Sequence, residues 1–254
     1  MHDTEVQPST QTTPGLTQWQ RVANIFSAPS KTFEDIRNGN KSWWMPLLIL
    51  ALVGYILFAA VAFKVGMQQV VDNQIRFDPK AEARLEQATP AQREISAKVS
   101  LVITKVAFIA SPAIILAAAA LLSLGLWGTI NFVFAGKANY GSIFAVWMYA
   151  SLPSIVKTLL GTIVIFAGAA PESFNIKNFA PTNPAALFLN PMDTNRALYT
   201  FASSLDIVSI WTMVLLAIGT AMVAGVKRTS GFIAVFGWWA IFVLAGAGIA
   251  AISG

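Results

Sequence analysis

Cysteine is absent from this chain, and histidine occurs once, at His2. The first absence removes disulfides, thiolate nucleophiles, cysteine-ligated zinc and palmitoylation together. The second leaves no imidazole near any packable segment, so neither proton transfer by histidine nor a histidine-held metal has a residue to use. No catalytic, cofactor-binding or metal-ligating residue is assigned, and no cofactor is implied. Charge is scarce too: Asp, Glu, Lys and Arg make up 11% of the residues, against roughly 25% in soluble domains. The balance is basic, with 17 Lys and Arg against 12 Asp and Glu for a formal charge of +5. These bases are scattered and form no cluster interleaved with aromatics, which excludes nucleic acid as a partner. In a membrane protein such an excess anchors one face to anionic headgroups.

What the chain has in abundance is long apolar sequence. Five runs follow residue 44, namely Met45 to Val65, Leu101 to Phe134, Ser142 to Ala170, Ile207 to Val226 and Phe232 to Ile252. About 20 apolar residues cross the ~30 Å hydrocarbon core of a bilayer as a helix. The fold class is therefore all-α, a polytopic transmembrane bundle of five spans with the lipid bilayer as its first partner. The first run starts too late for a cleaved signal peptide and reads as an uncleaved anchor. Residues 1–18, rich in Thr, Gln and Pro, read as a disordered leader. Residues 19–44 read as cytoplasmic interfacial helices, and residues 45–254 as the five-helix domain, with polar loops over 66–100 and 171–206.

In the interfacial segment Trp19, Val22, Ala23 and Phe26 share one helical face. Pro29 interrupts that helix, and Ser30 can cap a second one carrying Phe33 and Ile36. Trp43 and Trp44 sit where an aromatic belt holds the first span. Trp19, Phe26, Phe33, Trp43 and Trp44 are thus the expected interfacial anchors of an amphipathic segment in the headgroup plane, in preference to a cap on the bundle. In the first loop, Asp78-Pro79 and Thr89-Pro90 read as N-caps followed by proline, and Thr89 with Gln92 has capping-box spacing. That predicts two short charged helices, with Glu94 and Lys98 paired on the second. The second run makes roughly 50 Å of helix, too long for the core, so it must tilt, project or bend at Pro112. Pro153 poses the same choice in the third run; both prolines are candidate hinges, with a static kink the preferred reading. Gly246, Ala250 and Gly254, with Ala221 and Gly225, have the small-xxx-small spacing of close helix contacts.

Lys157 is the residue most at odds with its surroundings. A cation mid-way along an apolar span costs about 2.5–3.5 kcal/mol on insertion scales. It requires a partner facing the bundle interior, and Asp206, opening the fourth run, is the leading carboxylate. Asp206 can equally serve as that helix's N-cap. A structural pair is preferred to a transport relay, because a single lysine with no further acid inside the spans makes a poor pathway.

The segments NIFSAPSKTFEDIRNGNKSWWMPLLIL, YASLPSIVKTLLGTI and SLDIVSIWTMVLLAIGTAMVAGV resemble the Yip family of five-span membrane proteins (Ypt/Rab-interacting proteins), especially its bacterial members. By layout the likeness runs over roughly residues 20 to 254. It implies five helices, a cytoplasmic N-terminus and no catalytic activity. Eukaryotic members act in vesicle traffic and bind Rab GTPases through a longer leader with a DLYGP-type sequence, which this chain lacks. Charge agrees with the implied orientation: Arg21, Lys31, Arg37 and Lys41, then Lys137, then Lys227 with Arg228 would share one side, which the positive-inside rule makes cytoplasmic. Lys64 and the bases from Arg76 to Lys98 oppose it. The resulting expectation is a multi-pass protein of the bacterial inner membrane, N-terminus inside and C-terminus outside. It is read as a non-enzymatic organiser of membrane or partner proteins (a trafficking or scaffold-like role), with an unknown protein partner and homo-oligomers as further partners. The alternative is a small transporter or channel using the proline-bent helices and Lys157.

Overall fold

A computed structural model describes residues 15–253. Of the expected leader, residues 1–14 lie outside the described residues, while residues 15–17 are extended and Gln18 already belongs to the first helix. The described chain is helical, with no strand. Two short helices come first, α1 (Gln18–Ser27) and α2 (Pro29–Arg37). Next is α3 (Trp44–Ala60), continued by a π-helical turn over Val61–Val65. The first loop holds three helices, α4 (Met67–Arg76), α5 (Pro79–Glu86) and α6 (Pro90–Ile109). The second apolar run is α7 (Ser111–Gly128) with a π-helical turn over Thr129–Val133; the third is split into α8 (Tyr140–Ala150) and α9 (Ser154–Phe166). The second loop contains α10 (Pro184–Phe188) and α11 (Arg196–Ser204), before α12 (Ile207–Ala224) and α13 (Arg228–Ser253). Among the described residues, five segments are long and apolar enough to cross a membrane: Trp44–Val65, Ser111–Val133, Tyr140–Phe166, Ile207–Ala224 and Arg228–Ile252.

Local chemistry explains most of the boundaries. Thr17 caps α1 and Thr89 caps α6 through reciprocal boxes with Gln20 and Gln92, which satisfy orphan N–H groups at each start. Glu94 and Lys98 pair at 2.6 Å on the exposed side of α6. α12 ends at Gly225, whose φ of 68° closes the helix at no steric cost. The second helix of the N-terminal pair begins one residue before the expected cap, because Pro29 itself supplies the first helical position and Ala28 precedes it without a side-chain bond.

Three expectations are corrected. The second span does not begin at Leu101: the chain breaks at Ala110, so residues 101–109 belong to α6, and Pro112 sits in the first turn of α7. Neither proline is a bend inside a continuous helix, since Pro153 lies in the turn between α8 and α9 and leads into α9. The first loop also has a helix that its charge pattern concealed. α4 buries Val70 and Val71, and the Asn73 side chain donates to the carbonyls of Pro171 at 2.8 Å and Phe174 at 2.9 Å, tying the two polar loops together.

Helix packing is closest between α12 and α13. A Cβ at Gly231 would lie 2.3 Å from the Ala217 carbonyl oxygen and 2.9 Å from Ala221 Cβ. The small-residue contact therefore sits at the start of α13 against Ala217 and Ala221. Gly246 instead faces Thr200 of α11, Gly225 terminates a helix, and Gly254 lies outside the described residues. Gly231→Ala is expected to cost about 1–3 kcal/mol by overpacking, read as a lowered midpoint in thermal unfolding in detergent. Gly237→Ala, with nothing within 4 Å of the new methyl, should leave that midpoint unchanged or raise it.

Candidate functional site

Two ion pairs organise the molecule, the buried Arg21–Asp35 pair in the N-terminal hairpin and the partly buried Lys157–Asp206 pair at the start of α12. At the N-terminal end, α1 and α2 form a hairpin whose inner face carries Arg21, Ile25, Phe33 and Ile36, packed with Val146, Tyr149 and Leu215 of α8 and α12. Arg21 is 0% exposed. Its Nε meets Asp35 Oδ2 at 2.6 Å, and its Nη1 donates to the Ser42 carbonyl at 3.0 Å and to the Tyr149 hydroxyl at 3.3 Å. Its Nη2 donates to the Asn40 carbonyl. Asp35 is satisfied in turn by the Leu16 N–H at 3.1 Å and by Asn40 Nδ2 at 3.1 Å. Tyr149 passes the chain on, donating to Gln18 Oε1 at 2.7 Å. A guanidinium suits this position because its planar fork reaches several acceptors at once.

That geometry corrects one expected anchor. Phe33 is fully buried, with its ring against Gly219 of α12, so it holds α2 to the bundle and is not available to lipid. The other anchors lie further out: Trp19, Phe26 and Trp44 are exposed, Phe26 edge-on to Trp211, and Trp43 is half-buried, edge-on to Phe144. The pair thus combines both readings weighed from sequence, α2 capping the bundle and α1 turning Trp19, Ala23 and Phe26 outward.

The second pair joins Lys157 Nζ to Asp206 Oδ2 at 2.9 Å, with side chains 22% and 3% exposed. Asp206 also caps α12: its Oδ1 accepts the Ser209 N–H at 2.8 Å, and the positive end of the helix favours its charge. Thr182 completes the carboxylate by donating its hydroxyl to Oδ2, and its carbonyl accepts the Ile207 N–H at 3.0 Å. Lys157 lies 5.7 Å from the Phe179 ring centroid, and that ring covers Gly161, where a Cβ would come within 2.3 Å of it. The two roles proposed for Asp206 are therefore held simultaneously.

Depth follows from these contacts. α12 starts beside Lys157, so residues 158–166 of α9 continue about 13 Å beyond it at 1.5 Å per residue. The second loop fills the space above the start of α12. Phe179 and Thr182 close over the ion pair, and α11 packs along the last turns of α13. A cavity of ≈ 310 Å³ remains there, lined by Val164, Phe174, Asn178, Phe179, Ala185 and Tyr199. No cluster of three or more His, Cys, Asp or Glu able to hold a metal occurs among the described residues.

Sequence reasoning assigned Arg21 to surface charge and did not single out Tyr149, Thr182, Phe179 or Asn73. The one available signal was the i, i+4 placement of Arg21 with Ile25, on the side of α1 opposite Trp19 and Phe26.

A family model described as the Yip1 domain covers residues 23–249. The chain belongs to the Yip1 family. Among curated proteins it is similar to Membrane protein YknW of Bacillus subtilis (strain 168), with 27% identity over 233 residues and 90% of each chain covered. No solved structure matches. Membership in the Yip1 family and the five apolar segments make it a multi-pass membrane protein.

Removing one partner of a buried pair strands the other charge, at a cost of roughly 3–5 kcal/mol. Asp35→Ala should therefore lower the thermal midpoint steeply and release α1 to protease. For the second pair, Lys157→Met and Asp206→Asn should each destabilise more than the double variant. A double-mutant cycle with strictly additive effects would show that the two side chains do not interact.

Proposed function

We propose that this Yip1-family protein is a non-catalytic organiser of a bacterial inner membrane, its N-terminal hairpin on the cytoplasmic side. The observation that carries this reading is the contrast between the two faces of that hairpin. Its inner face is locked by Arg21, Asp35 and Tyr149, whereas its outer face leaves Trp19, Ala23 and Phe26 uncovered. A helix held rigidly with apolar side chains outward presents a fixed docking strip at the headgroup plane, for lipid and for a protein partner seated there. Lys31, Arg37 and Lys41, exposed around it, add attraction for anionic headgroups.

The transport reading has less support. Asp206 is already saturated by Lys157, Thr182 and Ser209, and Phe179 covers the lysine, so the pair resembles a closed clasp more than a binding step along a path. The Yip1 family and the name of the Bacillus relative agree with a non-enzymatic membrane protein.

Photo-crosslinking residues placed at positions 19, 23 and 26 in native membranes should capture a discrete partner, and Trp19→Ala, at a side chain 67% exposed, should abolish that capture without lowering the thermal midpoint. A solute or ion flux in proteoliposomes that disappears in Lys157→Met would overturn the organiser reading in favour of transport.

A further inference from the structure

α6 carries an apolar strip that is left exposed among the described residues. Ile95, Val99, Val102, Val106 and Ile109 are each at least 50% exposed. Their intervals are four, three, four and three residues, the heptad spacing of a coiled-coil seam with valine at the a positions and Ile95, Val102 and Ile109 at d. Thr104, on the opposite side of the helix, is buried, and α6 packs against α4 and α3.

Lipid accounts for only the lower part of this strip. The Tyr55 hydroxyl donates to the Ile109 carbonyl at 2.8 Å, and Phe58 stacks on Phe108 with centroids 4.8 Å apart, so the end of α6 lies beside residues 55–58 of α3. From Tyr55 to Val65 the first span rises about 15 Å further, and α6 makes the same rise by Val99. Ile95 and Val99 thus stand at or beyond the end of the first span, where acyl chains give way to headgroups and water. An apolar seam that continues past that level calls for protein on the other side.

We infer that α6 is a self-association strip, occupied by α6 of a second copy of this chain in parallel register. The heptad seam is self-complementary, and the charges select the parallel over the antiparallel pair. Lys98 and Lys105 fall at g positions, with Ser96 and Ile103 at e. In a parallel pair Lys98 lies over Ile103 of the second copy and can cover it with its aliphatic stem. An antiparallel pair would set Lys98 against Lys105. Two copies inserted in the same membrane share one orientation, so their helices run parallel when they meet side by side, the arrangement these charges tolerate. The Glu94–Lys98 bridge within the helix further reduces the charge presented to the partner. This inference does not depend on the proposed function, since it concerns α6 and not the N-terminal hairpin.

The absence of cysteine makes the test direct. Single variants Ile95→Cys, Val99→Cys and Val102→Cys, with off-seam controls Ala97→Cys and Ser100→Cys, would be reconstituted in phosphatidylethanolamine/phosphatidylglycerol vesicles and oxidised with copper phenanthroline. Disulfide-linked dimer several-fold higher at the three seam positions, and persisting as lipid is added, is the expected result. Equal yield at all five positions, or yield that falls in proportion to dilution, would mean that acyl chains alone meet the strip and would overturn the proposal. Independently, Ile95→Glu with Val99→Glu should reduce the particle mass in nanodiscs to one copy while helicity and thermal midpoint stay unchanged. The same mass as the parent protein would equally overturn it.

Discussion

Arg21 supplies the polar centre of a contact that the apolar faces of α1, α2, α8 and α12 also close. Its guanidinium reaches the carboxylate of Asp35 on α2, the carbonyls of Asn40 and Ser42 in the link to the first span, and the hydroxyl of Tyr149 in the third. Removing such a charge from water is costly, and the cost is offset only when nearly every donor finds an acceptor. The site meets that demand, so one side chain fixes the hairpin against the start of α3 and against α8, beside the apolar core those elements share. The aromatics on the outer side of α1 keep a fixed relation to the bundle for the same reason.

The second loop follows a similar logic at the other end. Its polar groups are used internally: Asn178 and Asn183 bond each other, Asn178 reaches the Tyr199 hydroxyl, and Thr182 serves Asp206. Backbone that is neither helical nor in a sheet is tolerated at depth only where protein satisfies it. Residues 171–206 satisfy their polar groups in this way while packing over the start of α12 and against α13.

How much of this was legible before the fold was known depends on which physical signal each feature leaves in the sequence. The five spans were readable because hydropathy over some 20 residues is a property of the segment alone. Caps at Thr89 and Asp78 were readable because their partners lie three residues away. The Lys157–Asp206 contact was reachable by elimination, a buried cation having few carboxylates to choose from. Arg21 was not reachable, since an arginine just before a first span looks like a headgroup anchor and its partners are distant in sequence. Phe33 was misassigned because an apolar side chain turned toward lipid and one turned toward protein follow the same helical periodicity. Pro112 and Pro153 mark real breaks, but proline alone does not distinguish a kink from a junction.

The order in which the chain is made gives the Lys157–Asp206 contact a meaning beyond the finished structure. Synthesis proceeds from the N-terminus, so Lys157 enters the bilayer before Thr182 and Asp206 have emerged from the ribosome. For that interval the ammonium has no counter-ion, and α8–α9 must remain near water or let the lysine snorkel to the surface. The third span can therefore settle at its final depth only after the fourth has begun to insert, which makes these two segments a single late step in the assembly of the bundle.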